Sequence, residues 1–394
     1  MQNRFSKLLS ISAAHFMNDF YMSLIAPISF IFAEKFGLSL TMQGLLVFVI
    51  MAFGNLTQPI VGNIVDKKGK TYFIILSLVW ISFWMNITGL INNYYLLLVV
   101  VGLGATASAL FHPLASSTVI NIGNESKGKM LSVFMTLGTL AGAVSPMISI
   151  PLIKTYGLSS LTYFMIPGFI IALFMYLTRV QDIEFISKKE KKQIKESKYI
   201  ISSYAKRIMS VLVIISMNRS FIRRVGVAFG IQILLAKGTS LSLATLLLTI
   251  HLFLAAGGTL FGGVLNDKFG SRRTLVFFNI IAGSLFTVFA FSSGILAFAS
   301  FAMLGMSLSI TNTSTVVMSH ELFPKNVNTG YGFVAGLATG LSGLGLLILG
   351  KFADIFNLNY AIKFILLPVF ILILLSVLLP KKLDEDKLNE SIAK

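Results

Sequence analysis

The chain has 394 residues, 55% of them hydrophobic and only 12% charged, with no cysteine and a formal net charge of +17. A soluble domain carries about 25% charged residues, so this chain cannot cover a water-facing surface. A soluble enzyme, a disordered chain and a disulfide-stapled secreted domain are excluded. The surplus cations sit between apolar runs, which points to membrane topology rather than to nucleic acid as partner.

At ~33 residues per helix and loop, the length allows about twelve spans of ~20 apolar residues. Apolar runs fall at 9–33, 43–65, 71–91, 94–121, 128–153 and 158–178. A second series falls at 208–235, 240–265, 274–293, 295–319, 329–350 and 359–380. The expected fold is an all-α membrane protein of twelve transmembrane helices in two pseudo-symmetric six-helix halves. Residues 1–178 form the first half, 179–207 a charged cytoplasmic linker, and 208–394 the second half with a short tail. Alternate loops divide the cations 24 to five, with three more inside a span. By the positive-inside rule both termini are then cytoplasmic, in a multi-pass protein of the cell membrane. Arg4 and Lys7 before an apolar run imitate a signal peptide, but His15, Asn18 and Asp19 interrupt that run, so it reads as a retained first span.

A charge at the bilayer centre costs at least ~2.5–3.5 kcal/mol and needs a reason. Asp19 is the only carboxylate deep in any span. It lies twelve residues after Lys7, roughly 18 Å along a helix. His15, Asn18 and Asp19 stand at i, i+3 and i+4 and share a face. Two readings are open: Asp19 carries a proton with His15 as relay or substrate contact, or Asp19 is a permanent counter-ion holding an Arg.

The loop after span two reads Gly62-Asn-Ile-Val-Asp66-Lys67-Lys-Gly69-Lys70. The loop after span eight reads Gly263-Val-Leu-Asn-Asp267-Lys268-Phe-Gly270-Ser-Arg272. Both are Gly-x3-Asp-Lys-x-Gly, 201 residues apart, and the same offset maps Gly104 onto Gly305 and Gly142 onto Gly343. An Asp at a helix end can accept from backbone N–H groups or pair with a nearby cation, so the paired loops are expected to latch a cytoplasmic gate. A lone copy would read as a solvated turn. Glu321, expected to pair with Arg272 or Arg273, joins the gate set.

His112 precedes Pro113 in span four and reads as a cavity or packing residue. Gln58 and Asn312 are candidate cavity-lining groups. Gly138, Gly142, Ser145 and Pro146 in span five, and Gly332, Gly336, Gly340 and Gly343 in span eleven, permit close helix approach. Span seven carries Arg219, Arg223 and Arg224; the first two share a face, and the repeat offset puts Arg219 at the equivalent of Asn18. The planar guanidinium fork suits carboxylate, phosphate or phosphonate. One Asp cannot neutralise three Arg, so an exogenous anion is expected there, with Asn18 and His112 as further contacts. The alternative is that one Arg neutralises Asp19 while the others face water.

The repeat and its loops resemble the major facilitator superfamily over nearly the whole chain. The likeness is closest to the fosmidomycin-resistance group of drug/proton antiporters. It rests on His15-x-x-Asn18-Asp19, Gln58-Pro59, Gly102-x-Gly104 with Phe111-His112-Pro113, Glu321-Leu-Phe-Pro324, and the Gly-rich run from Gly330 to Gly350. The resemblance implies a basic residue at Arg219; Arg223 and Arg224 depart from the pattern. It also implies secondary transport by alternating access, as proton-coupled export of a small anionic or amphiphilic compound. Import of an organic anion, and a non-transporting sensor or scaffold on the same fold, are the alternatives. No nucleophile–base arrangement suggests an enzyme. The energy source is a proton gradient, with no cofactor. No ligand cluster such as HExxH is present, so no metal site is expected. The partners are a small molecule, protons and the lipid bilayer, and the chain is expected to act as a monomer.

Overall fold

The computed structural model describes residues 2–57, 70–123, 127–183, 202–323, 330 and 332–380, all in helices, turns and short connections with no strand among them. In chain order the helices are α1 (Gln2–Met22), α2 (Ser29–Phe36), α3 (Leu40–Met51), α4 (Tyr72–Asn86), α5 (Tyr94–Gly123), α6 (Lys127–Tyr156) and α7 (Met165–Leu177). The series continues with α8 (Ser203–Ala228), α9 (Gly230–Ala236), α10 (Leu241–Phe269), α11 (Ser271–Phe291), α12 (Gly294–Leu322), α13 (Ala338–Phe356), α14 (Leu358–Phe364) and α15 (Leu366–Leu378).

Nine helical segments among the described residues are long and apolar enough to cross a bilayer, and Leu40–Leu56 forms a shorter apolar helix. The predicted first and seventh spans are missing from the nine. Each is broken into two helices, α1/α2 around the turn at residues 23–28 and α8/α9 at Phe229. Pro27 lies in the first break, where its missing N–H removes one bond of the helical ladder. These two spans also carry the ionisable side chains, which lower their hydropathy. Ser202 and Ser240 cap α8 and α10, accepting from Ala205 N at 3.1 Å and Leu243 N at 3.2 Å. Such caps satisfy N–H groups that a helix start leaves orphaned.

The chain forms two compact units: one of residues up to Leu38 together with those from Leu45 to 183, the other of Ser39–Gly44 together with the described residues from 202 onward. In the first unit α1 packs along α6 and α5. Ser145 Oγ donates to the Phe20 carbonyl at 3.0 Å, beside the α6 glycines Gly138 and Gly142. In the second unit α10 packs along α12 at glycines. A Cβ on Gly305 would strike the His251 carbonyl, and one on Gly262 would sit 2.9 Å from Thr313 Oγ1. Backbone contact of this kind replaces the hydrophobic drive that is absent between helices in lipid. Asp354, near the end of α13, caps the first turn of α3. It accepts from Leu40 N at 2.7 Å and Thr41 N at 2.9 Å, and from the Thr41 hydroxyl.

The first copy of the repeated loop, with Gly62, Asp66, Lys67 and Gly69, lies outside the described residues. So do Gln58, most of the charged linker and the C-terminal tail.

Candidate functional site

In the first unit, α1 brings His15, Asn18 and Asp19 to one face, as their spacing predicts, and α5 adds His112 and Ser108. The His15 ring is 2% exposed; its Nε2 lies 3.2 Å from Asp19 Oδ2. Its Nδ1 lies 2.7 Å from the Phe134 carbonyl oxygen. A carbonyl only accepts, so Nδ1 carries the hydrogen and donates. The ring stacks on Phe134 with centroids 3.9 Å apart. His112 Nε2 lies 3.4 Å from Asp19 Oδ1, and Asn18 Nδ2 donates to that same oxygen at 2.9 Å and to Ser108 Oγ at 3.2 Å. Both Asp19 oxygens are therefore engaged within the first unit.

Gly138 on α6 leaves the room for this cluster. A Cβ there would fall 2.5 Å from Asp19 Oδ2 and 2.6 Å from His15 Nε2. The sequence marks Gly138 only as one of a series of small residues. The Phe134 carbonyl carries no sequence signal at all. His112 was expected in a cavity, but nothing in its spacing ties it to Asp19, 93 positions earlier.

In the second unit, α8 carries Arg219, Arg223 and Arg224. Arg219 is 2% exposed, and its Nε and that of Arg224 are buried without a hydrogen-bond partner among the described residues. Within this unit no described carboxylate lies within ion-pair distance, 4.0 Å, of any of the three. His251 on α10 is fully buried. Its Nδ1 donates to the Phe301 carbonyl at 2.7 Å, and its Nε2 has no partner among the described residues. Asn312 is half-buried on α12.

In the second copy of the repeated loop, Asp267 and Lys268 are exposed, and Gly270 (φ +84°) turns the chain from α10 into α11. A buried polar link is made by the preceding Asn266, whose Oδ1 accepts from Ser314 Oγ at 2.7 Å. Arg272 does not pair with Glu321. Its Nε donates to the Leu379 carbonyl at 2.7 Å and its Nη2 to that of Val377 at 2.8 Å. A helix end offers orphaned carbonyls at the negative pole of its dipole, and those of α15 capture the guanidinium. Glu321 and His320 are exposed at the end of α12. Asp354 is the capping residue that sequence reasoning missed; it stands between the apolar runs 329–350 and 359–380 with no motif around it.

Broken, polar-bearing helices among long apolar ones are those of a polytopic membrane protein. The chain belongs to the Major Facilitator Superfamily, whose family profile matches residues 11–231 and 208–394. It is 26% identical over 398 residues to the uncharacterized MFS-type transporter YfnC of Bacillus subtilis (strain 168), covering 97% of this chain and 94% of that protein. It is 24% identical over 392 residues to the fosmidomycin resistance protein of Escherichia coli (strain K12), with the same coverage, in keeping with the resemblance noted from the motifs. Among solved structures, a bacterial homolog of the human lysosomal transporter Spinster, inward-facing and unoccupied, aligns with TM-score 0.80 at 17% identity over 99% of this chain and 98% of that one. A D-xylose-proton symporter aligns with TM-score 0.73 at 15% identity over 97% and 98%.

Proposed function

We propose that this chain exports a small anionic or amphiphilic compound across the cytoplasmic membrane in exchange for protons, by alternating access, as a monomer with twelve spans and both termini cytoplasmic. The observation that carries the reading is the charge imbalance on α8. Three arginines lie on a span helix, and no described carboxylate of their own unit is within 4.0 Å. An unpaired buried cation is costly, and each charge at membrane depth adds at least ~2.5–3.5 kcal/mol. An anion held by the Arg219 and Arg223 forks relieves that cost and gains bidentate hydrogen bonds. Proton coupling is assigned to Asp19 with His15. Adding a proton to Asp19 removes the charge that His15, His112 and Asn18 converge on, and so gives the first unit two electrostatic states.

The similarity to the fosmidomycin resistance protein supports the export direction. The structural likeness to a protein named as a proton symporter favours the second reading, import of an organic anion with protons. Proton-driven uptake into inside-out vesicles signifies export, and uptake into right-side-out vesicles signifies import. A stabilisation screen of the purified protein against phosphonates, phosphorylated metabolites and carboxylates tests the anion. A binder raises the melting temperature, and Arg219→Ala abolishes the shift. Stabilisation by neutral hydrophobic compounds alone would refute the anionic substrate. No protein-dependent flux in either vesicle orientation, with Asp19→Asn and Arg219→Ala changing nothing, would leave only a sensor or scaffold.

A further inference from the structure

The fold assembles a donor set that sequence spacing does not show. His15 Nε2, an Asp19 carboxylate oxygen and His112 Nε2 all lie within 4.8 Å of one another. A tetrahedral zinc ion binds nitrogen and oxygen ligands at ~2.0–2.2 Å, which places neighbouring ligand atoms about 3.3–3.5 Å apart. Each imidazole nitrogen already stands at about that spacing from one oxygen of the carboxylate, His15 Nε2 at 3.2 Å from Oδ2 and His112 Nε2 at 3.4 Å from Oδ1. The remaining edges are no longer than 4.8 Å, and turning the partly exposed His112 ring toward His15 and a single Asp19 oxygen would close them.

Support from the surrounding residues is also of the kind a metal site requires. Because His15 Nδ1–H is committed to the Phe134 carbonyl, the Nε2 of a neutral ring presents its lone pair to Asp19 Oδ2. Two acceptors 3.2 Å apart repel unless a cation stands with them. A metal-ligating histidine almost always donates its other N–H to a carbonyl or carboxylate in this way, which fixes tautomer and ring plane. Stacking on Phe134 holds the ring, Asn18 steadies the carboxylate, and Gly138 leaves space beside both ligand atoms. The partial exposure of Asp19 and His112 leaves a side open for a further ligand.

We propose that His15, Asp19 and His112 form a binding site for a divalent first-row transition-metal cation of the Zn²⁺, Co²⁺ or Ni²⁺ class. Two imidazoles and one carboxylate select these ions over Mg²⁺ and Ca²⁺, which prefer all-oxygen shells. The open position accepts water or an anionic oxygen of a transported compound. This inference uses the side chains assigned to proton coupling, so a proton and a metal ion are alternative occupants of one place.

The test is a Co²⁺ titration of the purified full-length protein, followed by the visible absorption of the bound ion. The expected result is one equivalent per chain, displaced by Zn²⁺ and not by Mg²⁺. Asp19→Asn and His112→Gln each weaken binding by at least the ~10–100-fold that losing even an outer partner costs, while His251→Ala and His320→Gln leave it intact. Melting temperatures in metal-free buffer show that each variant is folded. Absence of a Co²⁺ spectrum, or a spectrum that survives both Asp19→Asn and His112→Gln, overturns the site. Proton-driven flux in chelator-treated vesicles is read separately. Flux without metal binding sinks the metal site and spares the transport reading, and metal binding without flux does the reverse.

Discussion

Gly138→Ala is a one-methyl perturbation of the Asp19 cluster. The added methyl would sit 2.5 Å from Asp19 Oδ2 and 2.6 Å from His15 Nε2, and closer still to His15 Cε1, where ordinary contact begins at 3.4 Å, so Asp19 must retreat by about 0.9 Å and the His15 ring by more than that. His15 cannot retreat freely, because Phe134 stacks on its ring and its Nδ1 is bonded to the Phe134 carbonyl. Overpacking costs ~1–3 kcal/mol, and loss of a hydrogen bond to a charged group a further ~1.5–3 kcal/mol. A destabilisation of at least ~2.5 kcal/mol follows, with Asp19 displaced from both histidines. The assay pairs a melting curve with proton-driven flux in reconstituted vesicles. Gly142→Ala, one turn along the same helix, is the control: its methyl meets only Ser23 Oγ, at an ordinary 3.4 Å. Gly138→Ala is expected to melt lower than Gly142→Ala and to lose flux. Equal melting and equal flux for the two would refute the claim that Gly138 makes room for the cluster.

Asp354→Ala removes the cap on α3 and is expected to cost ~1 kcal/mol, seen as a lower melting temperature; Asp354→Asn keeps one acceptor oxygen and is milder. Asn266→Ala leaves the buried Ser314 hydroxyl only the longer bond to the Ile310 carbonyl, at 3.3 Å, and should cost ~0.5–1.5 kcal/mol, whereas Asp267→Asn, exposed one residue later, should leave the melting temperature unchanged. Arg272→Ala releases the carbonyls of Leu379 and Val377, and protease accessibility at the end of α15 should rise. Arg272→Lys should not restore it fully, because one ammonium cannot reproduce the two-nitrogen fork. Gly305→Ala drives a methyl into the His251 carbonyl and should destabilise by ~1–3 kcal/mol or more; a variant as stable as the parent would mean that α10 and α12 do not need their close crossing.

Membrane class, the order of most spans and the clustering of His15, Asn18 and Asp19 were legible in the linear chain, because each follows from a local quantity: hydropathy over some twenty residues, or the i, i+3, i+4 rise of one helix. The Gly-x3-Asp-Lys-x-Gly repeat was legible too, but the buried Asn266–Ser314 contact beside its second copy was not. Whether Asp267 or its neighbour Asn266 turns inward depends on which face of α10 meets α12, and no spacing rule states that. Glu321 and Arg272 likewise read as partners by charge, but α15 places two carbonyls nearer to the guanidinium.

What only the tertiary structure decided is the company that Asp19 keeps from other helices. The His112 imidazole comes from α5 and the gap at Gly138 from α6, and their sequence separation from Asp19 carries no distance information. A carboxylate inside a membrane protein must be satisfied by something, which the sequence alone dictates through the cost of its charge. Which groups satisfy it is set by helix packing, because hydrogen bonds act over about 3 Å while their donors lie up to 94 positions apart in the chain.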